Sequence, residues 1–243
     1  MHWESVRNNG KICEIHKKIP LDTGKIKTGE FLYETLREFA KVSTAAFDNI
    51  GEYLYAYRER QLSSILLPAF YNLGFSAMQE VPTRRSIQAG PESHGWLDYW
   101  VQKDGKWVYL IEAKHGWHCL NRPVSERNQR VIRSSVNQLQ GITGANLDDL
   151  KIDERTFKLA LMVLPFYRTL KPSETTEADV EYVTTAQELM PTAEKLTADL
   201  QQEASWIGVW NPPRRMQLTV SANRQGTRMM TFPGVALIAS IVS

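Results

Sequence analysis

Hydrophobic and polar residues alternate most regularly in the middle of the chain, over residues 95–114. Residues 107–111 in the second half of this stretch are all apolar, as in a strand that is covered on both faces. The first half alternates with period two, and an Asp104-Gly105 turn signal separates the halves. The pattern predicts a β-hairpin whose second strand is buried.

Charged residues come at the end of this buried strand. Glu112 and Lys114 share one face of it, because side chains alternate along a strand. A two-residue loop between the strands would place Asp98 of the first strand on the face opposite to that of Glu112 and Lys114. A three-residue loop at 103–105 would instead put Asp98 opposite Leu110 and diagonal to Glu112, and we predict this second register. Such buried charges are costly unless they meet one another or a metal ion.

The three charged residues resemble the motif of the PD-(D/E)xK nuclease superfamily. Asp98 matches the first acid and Glu112-Ala113-Lys114 matches E-x-K, whereas Leu97 stands at the place of the proline. The resemblance implies a restriction-endonuclease-like α/β fold, with a mixed central β-sheet flanked by helices. It also implies a Mg²⁺ or Mn²⁺ ion held by Asp98, Glu112 and the Ala113 carbonyl. Lys114 would orient the attacking water or stabilise the transition state.

A further acid is expected on a helix before the hairpin. Residues 49–73 show helical periodicity, and Glu59 lies on the side predicted to be buried. The resemblance implies a metal-binding or water-orienting acid at such a place, with Glu52 and Glu80 as substitutes. The alternative is an exposed Glu59 paired with a neighbouring arginine.

Basic residues on both sides of the hairpin are candidates for binding a nucleic-acid backbone. They lie in the loop that precedes the hairpin and on a helix predicted at 125–140. These residues are Arg84, Arg85, Arg127 and Arg130. Charged residues at such positions are as often simply solvated. The resemblance adds Gln138 of the same helix as a possible site residue.

The remaining periodic segments complete an α/β pattern. Helical spacing begins at Thr28, and Asp48 is a candidate N-cap for the second helix. Strands are predicted at 75–81, 157–166, 205–210, 216–221 and 235–242, and a helix at 184–204 opens with a capping box. We divide the chain into an N-terminal arm and helix, 1–47, and a nuclease domain, 48–243, and read 1–27 as an irregular arm or edge strand.

Composition narrows these expectations only slightly. The chain has 243 residues and a formal net charge of +2, which neither requires nor excludes nucleic acid. No apolar run approaches the 18 or so residues of a membrane span, and residues 1–11 lack the apolar segment of a secretory signal. We therefore expect a cytoplasmic protein without a membrane partner.

Cysteine and histidine residues offer one alternative kind of site. Cys13 and His16, together with His115, His118 and Cys119, include ligand types that suit zinc. The two groups are about 100 residues apart, so we favour coincidence. His115 directly follows Lys114 and is expected beside the nuclease-like site.

The resemblance thus implies a metal-dependent nuclease that hydrolyses phosphodiester bonds, with DNA as the expected substrate. A homodimer would be convenient for cutting both strands of a duplex. The alternative is a non-catalytic module that binds nucleic acid or protein on the same fold. In that case Glu112 and Lys114 would form a structural ion pair.

Overall fold

The computed structural model describes residues 2–19, 23–85, 93–120, 122–142, 156–169, 183–223 and 226–242. The strands are β1 (Glu4–Ser5), β2 (Lys11–Lys17), β3 (Ser76–Arg85), β4 (Ser93–Lys103), β5 (Trp107–His115), β6 (His118–Cys119), β7 (Thr156–Thr169), β8 (Trp206–Asn211), β9 (Leu218–Asn223) and β10 (Gly226–Val242). The α-helices are α1 (Thr23–Ile50), α2 (Ser63–Asn72), α3 (Glu126–Gln140) and α4 (Ala186–Leu200). Short 3-10 helices lie at Leu54–Ala56, Glu59–Leu62 and Arg214–Met216.

One ten-stranded sheet joins all these strands, in the order β1-β2-β8-β10-β7-β5-β4-β3, with β6 paired to β7 and β9 to β10. The sheet is mixed, because β7 runs parallel to β5 and β6 while its other neighbour and the remaining pairs are antiparallel. A parallel pair needs a crossover connection, and α3 lies between β5 and β7 in the chain.

Helices cover both faces of the sheet. Alternate residues of β7 show this directly: Leu161 and Val163 belong to the core under α1 and α2, whereas Met162 and Leu164 belong to the core under α3 and α4. A strand that is apolar at successive positions is stable only in such a sandwich. The structure therefore confirms an α/β fold with a mixed sheet flanked by helices.

Several predicted elements are confirmed. The strand predicted at 157–166 is β7, and the helices predicted at 125–140 and 184–204 are α3 and α4. The capping box that the sequence predicts at the start of α4 is present. The Ser125 side chain accepts a hydrogen bond from the Asn128 amide, and Thr185 forms a capping box with Glu188.

The helix predicted at 49–73 is wrong. The first helix ends at Ile50. The next residue, Gly51, has a φ of +72°, a conformation that glycine accepts easily. The chain then follows two 3-10 turns, and α2 begins only at Ser63. Asp48 is accordingly no N-cap; it lies near the end of α1 and its carboxylate pairs with Arg215 at 2.7 Å.

The N-terminal segment is part of the sheet. β2 pairs with β8 along most of its length, and β1 lies at the sheet edge beside β2. The boundary that we drew between residues 47 and 48 falls inside α1.

Two strands are longer than their apolar patterns predict. β3 continues to Arg85, so Arg84 and Arg85 lie in a strand and not in a loop. The 17-residue β10 includes the segment predicted at 235–242 and lies between β7 and β8. None of the helices among the described residues combines the length and apolarity that crossing a bilayer would need.

Candidate active site

The turn of the β4–β5 hairpin differs from the predicted register. Its loop has three residues, but they are 104–106, because Lys103 lies opposite Trp107. Asp104 and Gly105 both have positive φ, 55° and 64°, a conformation that these two residue types accept.

The difference in register moves the pairing by two residues. Trp100, and not Asp98, lies opposite Leu110. An even shift leaves each residue on the face predicted for it.

β4 is paired with β5 only over residues 99–103, so Asp98 lies just outside the paired region. Tyr99 and Ile111 form the last pair, although β4 stays paired with β3 as far as Ser93. At the point of separation, Asp98 Oδ2 accepts a hydrogen bond from the Ala113 amide at 2.8 Å. A backbone amide in a buried strand needs an acceptor, and here a side-chain carboxylate replaces the strand carbonyl. This bond fixes Asp98 beside the end of β5.

Three carboxylates surround the ammonium of Lys114. Its Nζ lies 3.0 Å from Glu112 Oε1, 3.1 Å from Glu59 Oε1 and 3.5 Å from Asp98 Oδ2. It also donates a 3.1 Å hydrogen bond to the Ala113 carbonyl. We call Asp98, Glu112, Glu59 and Lys114 the acidic cluster. The carboxylates of Asp98, Glu112 and Glu59, which the sequence singles out, therefore all lie within 3.5 Å of the Lys114 ammonium.

Burial differs across the acidic cluster and determines how strongly its charges interact. The side chain of Glu112 is 6% exposed and that of Lys114 18%, whereas Asp98 is 31% and Glu59 48% exposed. Burial is the largest single influence on Lys114 and lowers its pKa. The attraction of the surrounding carboxylates outweighs it, so that the pKa is raised above 10.5. Lys114 is thus cationic at neutral pH.

The acidic cluster carries more negative than positive charge. Three carboxylates face one ammonium, and Glu112 is buried, which favours a further cation at this place. Carboxylate and carbonyl oxygens are the ligands that suit Mg²⁺ and Mn²⁺. As the side chains stand, no group of three or more His, Cys, Asp or Glu residues in the described part of the chain is arranged to hold a metal ion.

The other candidate acids lie elsewhere. Glu59 itself begins a 3-10 helix and is not on a regular helix face. Glu52 accepts a hydrogen bond from the hydroxyl of exposed Tyr57. Glu80 is an exposed residue of β3 with a φ of +52°. Neither Glu52 nor Glu80 has a described contact with Lys114.

A cavity of about 980 Å³ opens beside Lys114. It lies between the 57–59 segment, the turn after β5 and the first half of α3. The charged residues in its wall are Arg58, Glu59, Lys114, Arg122 and Arg127. Cationic groups therefore predominate there, and a phosphate group next to the acidic cluster would meet several of them.

Only part of the predicted basic set reaches the cavity. Arg127 lines it. Arg130 is exposed and donates to the backbone carbonyl of Glu126, one turn earlier on α3. The side chains of Arg84 and Arg85 lie outside the part that the structure describes. His115 lines the cavity as expected, and its imidazole meets the Tyr55 carbonyl at 2.9 Å.

Gln138 lies away from the cavity. It follows Val131, the last α3 residue in the cavity wall, by seven positions, which corresponds to about 10 Å along a helix axis. Its Oε1 is buried without a hydrogen-bond partner among the described residues. We therefore do not assign Gln138 to the cavity.

The sequence reading missed several cavity residues, above all Arg58, Trp117 and Arg122. A signal for two of them was present. Trp117 and Arg122 both lie in the segment that follows the E-x-K strand. Trp117 stands there among small and polar residues and belongs to no apolar periodic pattern that would place it in the core.

The site geometry is the whole basis for assigning a function to this chain. No protein-family model, no curated protein and no solved structure matches it.

Proposed function

We propose that this protein is a metal-dependent nuclease that hydrolyses phosphodiester bonds, with DNA as its substrate. One observation carries the proposal: the carboxylates of Asp98, Glu112 and Glu59 converge on Lys114 at the wall of a cavity lined with arginines. A phosphodiester substrate needs positive charge for binding. Its hydrolysis needs carboxylates that hold a metal ion or a water molecule.

The donor set of the acidic cluster fits a hard divalent cation. Asp98, Glu112 and the Ala113 carbonyl would hold Mg²⁺ or Mn²⁺, and Glu59 would hold a second ion or a water molecule. A bound ion would lower the pKa of a coordinated water and stabilise the charge that develops on the phosphoryl oxygens. Binding has to compete with the Lys114 ammonium, which already contacts these carboxylates.

Each residue of the acidic cluster has a distinct role in this proposal. Asp98 is held by the Ala113 amide and so presents its carboxylate in a fixed orientation. Glu112 supplies a buried negative charge. Lys114 is cationic and has a flexible stem, so its ammonium can orient the attacking water or stabilise the pentavalent transition state. Arg127 would bind a neighbouring phosphate of the substrate.

The surrounding fold supports a restriction-endonuclease-like core as part of the proposal. The E-x-K residues end β5, which pairs with β4 on one side and runs parallel to β7 on the other. The helix that connects β5 to β7 covers the sheet beside the cavity. A homodimer for double-strand cleavage stays a prediction.

A non-catalytic binding module is the second candidate function. The contacts of Lys114 with Glu112, Glu59 and Asp98 form an ion-pair network between side chains of the protein itself, and this observation favours a structural role for the acidic cluster. The same arginine-lined cavity would then bind nucleic acid without cleaving it.

Cleavage assays separate the two candidates. Supercoiled plasmid and single-stranded DNA are incubated with the purified chain in Mg²⁺, Mn²⁺ or EDTA, alongside Asp98→Ala, Lys114→Ala and the matched control Asp48→Ala. Asp48 is an exposed carboxylate paired with Arg215 and does not contact Lys114. The nuclease proposal requires metal-dependent cleavage that both cluster variants lose and the control keeps. DNA binding without cleavage by the native chain would favour the binding module.

A further inference from the structure

The cavity beside the acidic cluster has exposed aromatic rings as well as arginines. Trp117 is 38% exposed and Tyr57 is 45% exposed, and both line the cavity from different segments of the chain. Large exposed aromatic side chains lose little conformational freedom on binding and present broad apolar faces. Their position next to cationic groups is typical of surfaces that bind single-stranded nucleic acid.

Neighbouring rings hold the indole of Trp117 in place. Its ring centroid lies 5.4 Å from that of His115 and 5.9 Å from that of Tyr167, both in edge-on geometry. A third contact, at 5.8 Å, joins it to Phe232. These contacts fix the orientation of the exposed ring before any ligand arrives. A preorganised ring binds a partner at a smaller entropic cost than a mobile one.

The positive charge of the cavity comes from arginine and lysine. Burial lowers the pKa of His118, so this imidazole is neutral at pH 7. Arg58, Arg122 and Arg127 are exposed, and each carries a guanidinium group. Guanidinium groups bind phosphate oxygens in paired hydrogen bonds. The wall therefore offers both phosphate donors and stacking surfaces.

This combination suits an unpaired nucleotide better than a duplex. Bases inside a duplex stack on each other and offer only their edges, so an aromatic side chain stacks on a base only when that base is unpaired. The volume of about 980 Å³ falls within the range of cavities that enclose a small organic molecule. A base can enter such a cavity while the phosphates on either side of it remain at the arginine-lined wall.

We propose that the cavity binds one or more unpaired nucleotides, with a base stacked on Trp117, so that the chain acts on single-stranded or locally unpaired DNA. The inference rests on the proposed function, because the bound strand would pass the acidic cluster next to Lys114. It goes further by assigning the substrate class and by naming Trp117 as the residue that determines it.

Binding measured without metal tests this inference independently of cleavage. A fluorescent 12-nucleotide single strand and the matching blunt duplex are each titrated with the native chain in EDTA. The titration of the single strand is repeated with excess unlabelled duplex as competitor. We expect tighter binding to the single strand. Equal or tighter binding to the duplex would overturn the inference.

Variants of Trp117 identify the stacking contact. Trp117→Leu keeps apolar contact with Phe232 but removes the stacking face, whereas Trp117→Phe keeps an aromatic ring. The control is Trp96→Ala, at a tryptophan that is 63% exposed and does not line the cavity. We expect Trp117→Leu to weaken single-strand binding roughly 5- to 150-fold, the range for one lost base stack. Trp117→Phe should recover most of the affinity, and Trp96→Ala should match the native chain.

A stacking signal confirms the contact directly. A single strand with one 2-aminopurine should lose fluorescence on binding to the native chain and to Trp117→Phe, and keep it with Trp117→Leu. Circular dichroism checks that each variant is folded. Unchanged affinity and quenching in folded Trp117→Leu would overturn the inference, even if the native chain cleaves DNA. Trp117-dependent binding without any cleavage would support the cavity assignment and refute the nuclease proposal.

Discussion

Removing the charge of Lys114 should destabilise the protein far more than removing an ordinary surface lysine. Lys114→Met keeps most of the apolar stem but removes the ammonium that contacts the buried carboxylate of Glu112 at 3.0 Å. Breaking a buried ion pair in this way costs about 3–5 kcal/mol. The contacts of Lys114 with Asp98 and Glu59 are a third to a half exposed, so each adds at most about 1 kcal/mol after screening by solvent.

A matched control makes this magnitude measurable. Lys27→Met removes the ammonium from a pair with Glu30 whose N–O distance is 2.6 Å, but whose side chains are 50% and 56% exposed. This change should cost less than about 1 kcal/mol. Urea unfolding at pH 7 gives both free energies, and a loss of 3–5 kcal/mol corresponds to a fall in Tm of roughly 6–20 °C for a chain of this size.

The same variant tests the affinity of the carboxylates for a cation. Without the ammonium, Asp98, Glu112 and Glu59 should bind a divalent ion more tightly, so Mn²⁺ should raise the Tm of Lys114→Met more than that of the native chain. A Lys114→Met variant that is no less stable than Lys27→Met would contradict the buried ion pair. Equal stabilisation of Lys114→Met and the native chain by Mn²⁺ would contradict the competition between the ammonium and a metal ion.

Three further predictions concern single residues. Asp98→Asn should lose cleavage but keep stability within about 1 kcal/mol, because the amide oxygen still accepts from Ala113 and only the partly exposed ion pair with Lys114 is lost. Asp98→Ala, which also loses the hydrogen bond, should cost about 1–3 kcal/mol in urea unfolding. Arg127→Ala should reduce the slope of log Kd against log salt by about 0.7 for a single strand, and an unchanged slope would remove Arg127 from the phosphate contacts. Burial lowers the pKa of His118 below 6.5, so the unfolded chain binds a proton at this residue more readily than the folded chain does. The stability linked to His118 is therefore fully present above pH 6.5 and is lost as the pH falls below 6.5. The free energy of unfolding of His118→Gln should accordingly fall less between pH 7 and 5 than that of the native chain, and parallel pH profiles would contradict this.

The sequence predicts the buried strands well, because their apolar patterns follow from burial alone. β5 and β7 are apolar at successive positions, and this pattern is typical of a strand that is covered on both faces. The cap residues Ser125 and Thr185 mark helix starts because their side chains bond locally to the backbone. Where one physical cause dominates within a short segment, the prediction holds.

Predictions fail where two local causes compete. Helical periodicity continues past Ile50, but Gly51 and the following 3-10 turns end the helix. Glu59 still reaches Lys114, because the turn that replaces the helix packs against the end of β5. The hairpin register fails for a similar reason: Asp104 takes a left-handed conformation for which the pattern of the strands gives no signal.

The cavity is the feature least accessible from the sequence. Its wall combines Arg58, Trp117 and Arg127 from three separate segments. They come together because α3 and the 3-10 turn at Glu59–Leu62 both pack against β5. Short-range patterns carry no information on such distances. The acidic cluster was predictable because two of its members share one strand and a third lies in the adjoining strand.

The cleavage rate of Asp98→Asn tests the central claim most directly, because this variant changes one oxygen of the acidic cluster and keeps the hydrogen bond to Ala113. A labelled single-stranded oligonucleotide is cut under single-turnover conditions in Mg²⁺ by the native chain, by Asp98→Asn and by the control Asp48→Asn, all purified identically. We expect metal-dependent cleavage by the native chain and the control, and a rate at least about 100-fold lower for Asp98→Asn. Equal rates for Asp98→Asn and the native chain would contradict the assignment of the acidic cluster as the catalytic site.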